Sequence, residues 1–274
     1  MKRRHFLMGA VAAGGPLAGQ SPKRTPTAGA ARRVPRGWMD VSPGPHLEGW
    51  TEYPWFDTAG TRWRQANQWH MDPATDVLLC DGLNPLRDYH SMLLSDREFE
   101  DFTFHVEWRF TEVPGAAGYN SGVLVRMLPE TPQRRVMHQI ECGSTVKHAG
   151  FMRGGNLENG RLTVLNTQVL INGRWEMVDP GFPVGWKPYV KSQSPNSVRP
   201  GLRLTYDVGI DGPVYPSGQW NTYEISCLKN RIEVLTNGYP SCVADNCEVP
   251  KGRLGLESEG FRIEFRNLRV KQLS

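Results

Sequence analysis

Phe102-Thr103-Phe104-His105-Val106-Glu107-Trp108-Arg109-Phe110 decides the fold. Its even positions are apolar and its odd positions polar, the period-two pattern of a strand with one buried face. Outward from it the period recurs. Val123, Val125 and Met127 alternate with Leu124 and Arg126, and Val136, His138, Ile140 and Cys142 with Met137, Gln139 and Glu141. Tyr223, Ile225 and Cys227, then Ile232 and Val234, then Leu254 and Leu256 repeat it. Asn172-Gly173 and Asn237-Gly238 lie between such runs and predict tight hairpins, whose two central residues need positive φ. Near the C-terminus Phe261, Ile263 and Phe265 are odd but Leu268 and Val270 are even, so a β-bulge is expected at Arg266-Asn267. No segment keeps a helical period beyond about two turns. With 21 prolines, the chain reads as all-β, a two-sheet antiparallel sandwich with an open groove, in one domain over residues 38–274.

The composition is that of an ordinary soluble protein, 39% hydrophobic and 22% charged over 274 residues. The net charge of +4 is concentrated at the start: eight basic residues and no acid precede Gly37. The remainder is slightly acidic, which gives no electrostatic case for nucleic acid or an anionic membrane. Arg3-Arg4-His5-Phe6-Leu7, followed by an apolar stretch to Ala18 too short to span a bilayer, looks like a twin-arginine export signal. Residues 1–30 are therefore expected to be signal and leader, and the location periplasmic or extracellular. No later stretch is long enough to be a membrane span. Of the five cysteines, Cys242 and Cys247 are close enough to clip a small loop in an oxidising compartment, while Cys142 and Cys227 read equally well as buried hydrophobes.

The polar faces of the strands hold the candidate chemistry. Glu107, Arg126, Gln139, Glu141 and Glu257 all fall opposite their strands' apolar stripes. In a curved sheet they would line one hollow surface, although alternation alone also produces solvated charged stripes. Asn120-Ser121-Gly122 precedes a strand and offers hydrogen bonds beside a backbone that a ligand could approach closely; an ordinary turn has the same composition. His138 shares a stripe with Val136 and Ile140 and reads as a buried structural histidine, whereas His90 and His148 lie in loop-like stretches free to reach a ligand. Nine tryptophans, among them Trp50, Trp55, Trp63, Trp69 and Trp220 near strand ends, suit the apolar C–H faces of sugar rings. Residues 179–219, rich in Pro, Gly and aromatics, read as a long functional loop. Carboxylates and carbonyls suit a divalent cation, but no spacing demands one.

Several motifs in order resemble those of the 3-keto-disaccharide hydrolase family. They are Asn120-Ser121-Gly122-Val123-Leu124-Val125-Arg126, His138-Gln139-Ile140-Glu141, Gly218-Gln219-Trp220-Asn221, the hairpin at Asn237-Gly238 and the closing strands Gly252 to Glu257 and Phe265 to Val270. The resemblance covers roughly residues 90–272. It implies a fold similar to concanavalin A-like lectins and glucanases, a carbohydrate ligand, and action on glycosides whose C3 hydroxyl has been oxidised to a ketone. A C3 ketone acidifies the C2 proton. On this reading Glu141 is the base, Glu107 or Glu257 the acid or water partner, and Arg126 and Asn120 stabilise the enolate. Ser121, Gln139, Glu257, His90, His148 and Trp220 bind substrate. The reading requires Arg126 and Glu141 to share one surface. A direct two-carboxylate glycosidase and a non-catalytic lectin-like module are the alternatives.

Overall fold

The computed structural model describes residues 34–54, 68–81, 90–111, 119–131, 133–145, 147, 149–181, 197–199 and 201–274. The expected signal and leader (residues 1–30), His148, Trp55, Trp63 and part of the loop expected at 179–219 lie outside these residues.

The described chain forms two antiparallel sheets, as the period-two runs predicted. The first has the strand order β10 (Arg161–Val164), β9 (Met152–Glu158), β8 (Arg134–Gly143), β7 (Asn120–Met127), β16 (Gly252–Glu259), β5 (His90–Phe99) and β2 (Trp50–Pro54). The second runs β12 (Arg174–Val178), β11 (Asn166–Ile171), β15 (Tyr239–Asp245), β14 (Arg231–Thr236), β13 (Asn221–Leu228), β6 (Phe102–Phe110), β17 (Arg262–Gln272), β4 (Val77–Asp81) and β3 (Trp69–Asp72), with β1 (Met39–Asp40) also pairing β17. Phe104, Val106 and Trp108 of β6, Tyr223 and Ile225 of β13 and Phe265 of β17 share one buried cluster with Val123, Ile140 and Leu256 of the other sheet. Each such side chain contributes roughly 1.5–3 kcal/mol by leaving water. That shared core holds the sheets face to face and leaves each with one outward face.

The turns behave as their residues require. Asn172 and Gly173 (φ 51° and 72°) join β11 to β12, and Asn237 and Gly238 (φ 49° and 81°) join β14 to β15. The bulge expected in β17 is present: Asn267 has φ 55° and the register against β6 shifts between Arg266 and Arg269. A second bulge was not legible. Between β7 and β16 the register steps from Leu124↔Gly255 to Met127↔Arg253, so β7 carries one extra residue, and Arg126 takes φ 51° there.

All five cysteines are free and buried, so Cys242 and Cys247 do not form the clip that their spacing allowed. Cys242 points into the core from β15, where its sulfur accepts the Met152 N–H at 3.3 Å. Cys247 stands past the strand end, its sulfur 3.9 Å from Nε2 of the buried His138. Of the expected loop, Asp179 is buried and stitches the described part: its carboxylate accepts from Ser197 Oγ and from the N–H groups of Gly181, Val198 and Arg199. No helix among the described residues is long and apolar enough to cross a membrane.

Candidate active site

Val123, Ile140 and Leu256 point into the core, so their neighbours Gly122, Gln139, Glu141 and Glu257 face outward on the first sheet. Gly122 of β7 stands opposite Glu141 of β8. On its other flank Leu256 pairs Val123, which puts Glu257 of β16 beside Gly122. The two glutamates are thus separated by one strand, roughly 10 Å between backbones. Gln139 Nε2 donates to Glu257 Oε2 at 2.5 Å. A Cβ at position 122 would lie 2.6 Å from Gln139 Nε2 and 2.8 Å from Glu257 Oε2. The glycine of Asn-Ser-Gly therefore makes room for this bridge rather than for a ligand's approach.

Arg153 of β9 lies beside Gln139 and donates from Nη1 to Glu141 Oε1 at 2.7 Å. Burial disfavours its charge, but Glu141, Glu259 and Glu257 outweigh this and raise its pKa. Glu257 shifts the opposite way to an ordinary carboxylate. Burial first, then the charges of Glu259 and Glu141, push its pKa well above the usual range, against Arg153 and Gln139. Glu141 and Glu257 are only 3% and 2% exposed, so these charges interact with little screening by water. The result is an ion pair, Glu141–Arg153, next to a carboxyl group that favours its neutral form.

The backbone under Glu141 is held from the second sheet. Tyr223 reaches across the core from β13 and donates its hydroxyl to the Glu141 carbonyl at 2.6 Å. The Gly150 N–H donates to that carbonyl at 3.0 Å and to the Tyr223 oxygen at 2.9 Å, and Glu141 N–H donates to Phe151 O at 3.1 Å. Asn120 is two residues from Gly122 on the same strand face. His90 opens β5 opposite Glu259.

Several expected members of the groove are elsewhere. Arg126 is fully buried and points away from Glu141. The β7 bulge turns it inward, where it donates to Glu100 O at 2.8 Å, to Asp101 Oδ1 at 3.1 Å and to Lys229 O. The requirement that Arg126 and Glu141 share a surface thus fails, and Arg153 is the guanidinium of the cluster. Glu107 stands on the outward face of the other sheet, accepting from Arg266 Nε and Asn267 Nδ2 at 2.6 Å each. Partial burial opposes its charge, but hydrogen bonds from His105, Arg266 and Asn267 and the Arg266 charge hold its pKa at about 2. It is committed to a surface network and cannot partner Glu141. Trp220 is on that same face, with Arg109 and Arg266 stacked on its ring at 4.5 and 4.0 Å, so it is not a groove platform. Ser121 is buried and donates to the Glu257 carbonyl at 2.7 Å, tying β7 to β16 rather than meeting a ligand.

Sequence reasoning missed Arg153, Glu259 and the Tyr223 anchor. Arg153-Gly154-Gly155 lacks an alternating apolar stripe, because a Cβ at Gly154 or Gly155 would run into the carbonyl of Met137 or Thr163. The strand is defined by close backbone approach, which leaves only weak periodicity. No group of three or more His, Cys, Asp or Glu among the described residues is placed to hold a metal.

One of the two outward sheet faces thus carries a buried carboxylate–guanidinium cluster, the candidate site of this β-sandwich. Residues 37–271 match the family model of the 3-keto-alpha-glucoside-1,2-lyase-like domain. The chain belongs to that family, and so to the carbohydrate-active proteins. Similar solved structures include a provisionally assigned glycosyl hydrolase of Parabacteroides distasonis (14% identity, TM-score 0.48, 87% of this chain and 94% of that one). Others are carbohydrate binding module CBM66 of Bacillus subtilis (13%, 0.43, 82% and 96%) and the β-glucanase of Bacillus licheniformis (10%, 0.45, 82% and 94%). No curated protein matches the chain.

Proposed function

We propose that the protein cleaves 3-keto-glycosides at the cluster formed by Glu141, Glu257 and Arg153. The observation that supports this most is the pairing of two buried glutamates in unlike electrostatic settings on one sheet face: Glu141 bound to Arg153, and Glu257 with its pKa driven up. Unlike settings divide acid from base work between two chemically identical groups. Glu141 takes the C2 proton, whose C–H electron pair becomes the enolate of the C3 ketone. The enolate then reforms the ketone as a C1=C2 double bond develops and the C1–O bond breaks. The departing oxygen takes its proton from Glu257. Proton exchange with solvent restores both carboxyl groups; addition of water to the double bond gives net hydrolysis. In this reading Arg153 and Asn120 stabilise negative charge on the substrate. The twin-arginine signal read at Arg3-Arg4 makes this an exported activity, periplasmic or extracellular.

The test is Glu141→Gln assayed on a 3-keto-glucoside with products followed by mass spectrometry. Turnover should fall about 100- to 10,000-fold. Unchanged turnover would remove Glu141 from the chemistry, and wild-type binding without any product would make the protein a lectin-like module.

A further inference from the structure

In the proposed cleavage Glu257 gives up its proton and must regain one before the next turnover. It is only 2% exposed, so the groups packed around it decide by what route a proton arrives. Met92 of β5 stands opposite it and packs with Leu94, Leu124 and Met127 in an apolar cluster on the same outward face. Along β16 toward the N-terminus the next residue on this face is Gly255. A Cβ there would lie 2.6 Å from Leu94 Cδ2 and 3.0 Å from Leu124 Cβ, so the same cluster closes that end. On the β7 side Gly122 has no side chain. Beyond it Gln139 offers an amide N–H to Glu257, a group that donates a hydrogen bond but keeps its proton.

The charged groups that act on Glu257 are Glu259, Glu141 and Arg153, in that order. Arg153 cannot be deprotonated in a protein. Glu141 is itself 3% exposed and held by Arg153 at 2.7 Å. Glu259 is different. It is two residues further along β16, where side chains return to the same face about 7 Å apart. The intervening Ser258 turns to the core and donates to Gln68 Oε1 at 2.6 Å. Glu259 closes the strand opposite His90 and is only half-buried, so it meets both Glu257 and solvent. We infer that Glu259 is the proton relay of the site, taking a proton from solvent and handing it to the Glu257 carboxylate after each departure of the C1 oxygen. The Glu259 O–H bond breaks as the Glu257 O–H bond forms, and the Glu259 carboxylate takes its next proton from water or a buffer acid. Glu259 acts through Glu257, not on the substrate. Its part in turnover rests on the proposed cleavage; the exchange route rests on the packing around Glu257 alone.

Two measurements on the full chain test this. The first needs no substrate. The protein is mixed rapidly with D₂O, and infrared spectroscopy follows the protonated-carboxyl C=O stretch of Glu257, assigned by its absence in Glu257→Gln. Glu259→Gln should slow the deuterium shift of this band about 100-fold; a rate equal to wild type would overturn the inference. The second follows cleavage of a 3-keto-glucoside by rapid quench. Glu257 starts protonated, so Glu259→Gln should form its first product at the wild-type rate and then turn over about 100-fold more slowly. Formate added to Glu259→Ala should restore the steady rate. A slowed first product, or no response to formate, would mark a structural defect and overturn the inference. If wild type cleaves no 3-keto-glycoside while Glu259→Gln still delays deuterium entry, the cleavage reading falls and the relay stands.

Discussion

Gln139 Nε2 reaches Glu257 Oε2 over the bare backbone of Gly122, 2.5 Å from donor to acceptor. The contact spans β7 entirely and ties β8 to β16 on the face that carries Glu141. Gly122→Ala would put a methyl group inside both contacts. The methyl group would meet only flexible side chains, the Cγ and amide of Gln139 and the carboxylate of Glu257, which can swing apart, so the fold should survive with a loss of about 1–3 kcal/mol. Turnover should fall at least tenfold, because Glu257 loses its orientation. Chemical denaturation together with kinetics checks both parts; full activity would show that the bridge does not position Glu257.

The raised pKa of Glu257 has a stability signature. Its folded value lies above the unfolded value near 4.5. The stability linked to its protonated form is therefore fully present below that value and is lost as pH rises through the folded pKa. Glu257→Gln keeps the neutral shape and removes the titration. Its melting temperature should match wild type at about pH 4 and exceed it increasingly toward alkaline pH. A constant difference at all pH values would mean that Glu257 ionises normally.

Removing Arg153 should cost both stability and activity. Arg153→Met strands Glu141 next to Glu257 and Glu259 without their cation. Breaking a pair this enclosed costs about 3–5 kcal/mol, and loss of one stabilising donor lowers turnover on the order of 100-fold. Arg153→Lys should recover part of each, measured by urea unfolding and by steady-state kinetics.

Arg126 and Glu107 should give the reverse pattern. Arg126→Leu leaves the Glu100 and Lys229 carbonyls without their donor, so it should destabilise by about 2–5 kcal/mol. Turnover per folded molecule should stay at the wild-type level. Glu107→Gln, on the opposite sheet, should leave turnover unchanged as well. A specific loss of kcat in either variant would return that residue to the reaction.

Much of the molecule was legible because alternation reports which face of a strand meets the core. The run Phe102 to Phe110 placed β6 correctly, and both Asn-Gly hairpins and the bulge at Asn267 followed from local conformational demands. Gln139, Glu141 and Glu257 were placed on a common outward face by parity alone. The same parity failed for Arg126, because a single extra residue in β7 reverses every later side chain and nothing in Val125-Arg126-Met127 announces it. It also could not say which of two outward faces a polar stripe occupies, so Glu107 was assigned to the wrong one.

By itself, then, the sequence determined the strands, their turns and which side chains leave the core, since these depend on neighbours one to four residues away. Only the tertiary structure decided that Arg153 rather than Arg126 meets Glu141, that Gly122 clears a path for Gln139, and that Tyr223 holds the Glu141 carbonyl from the far sheet. Those contacts join residues up to 118 positions apart in the chain. Strand order and register set them, and hydrophobic alternation carries no information about either.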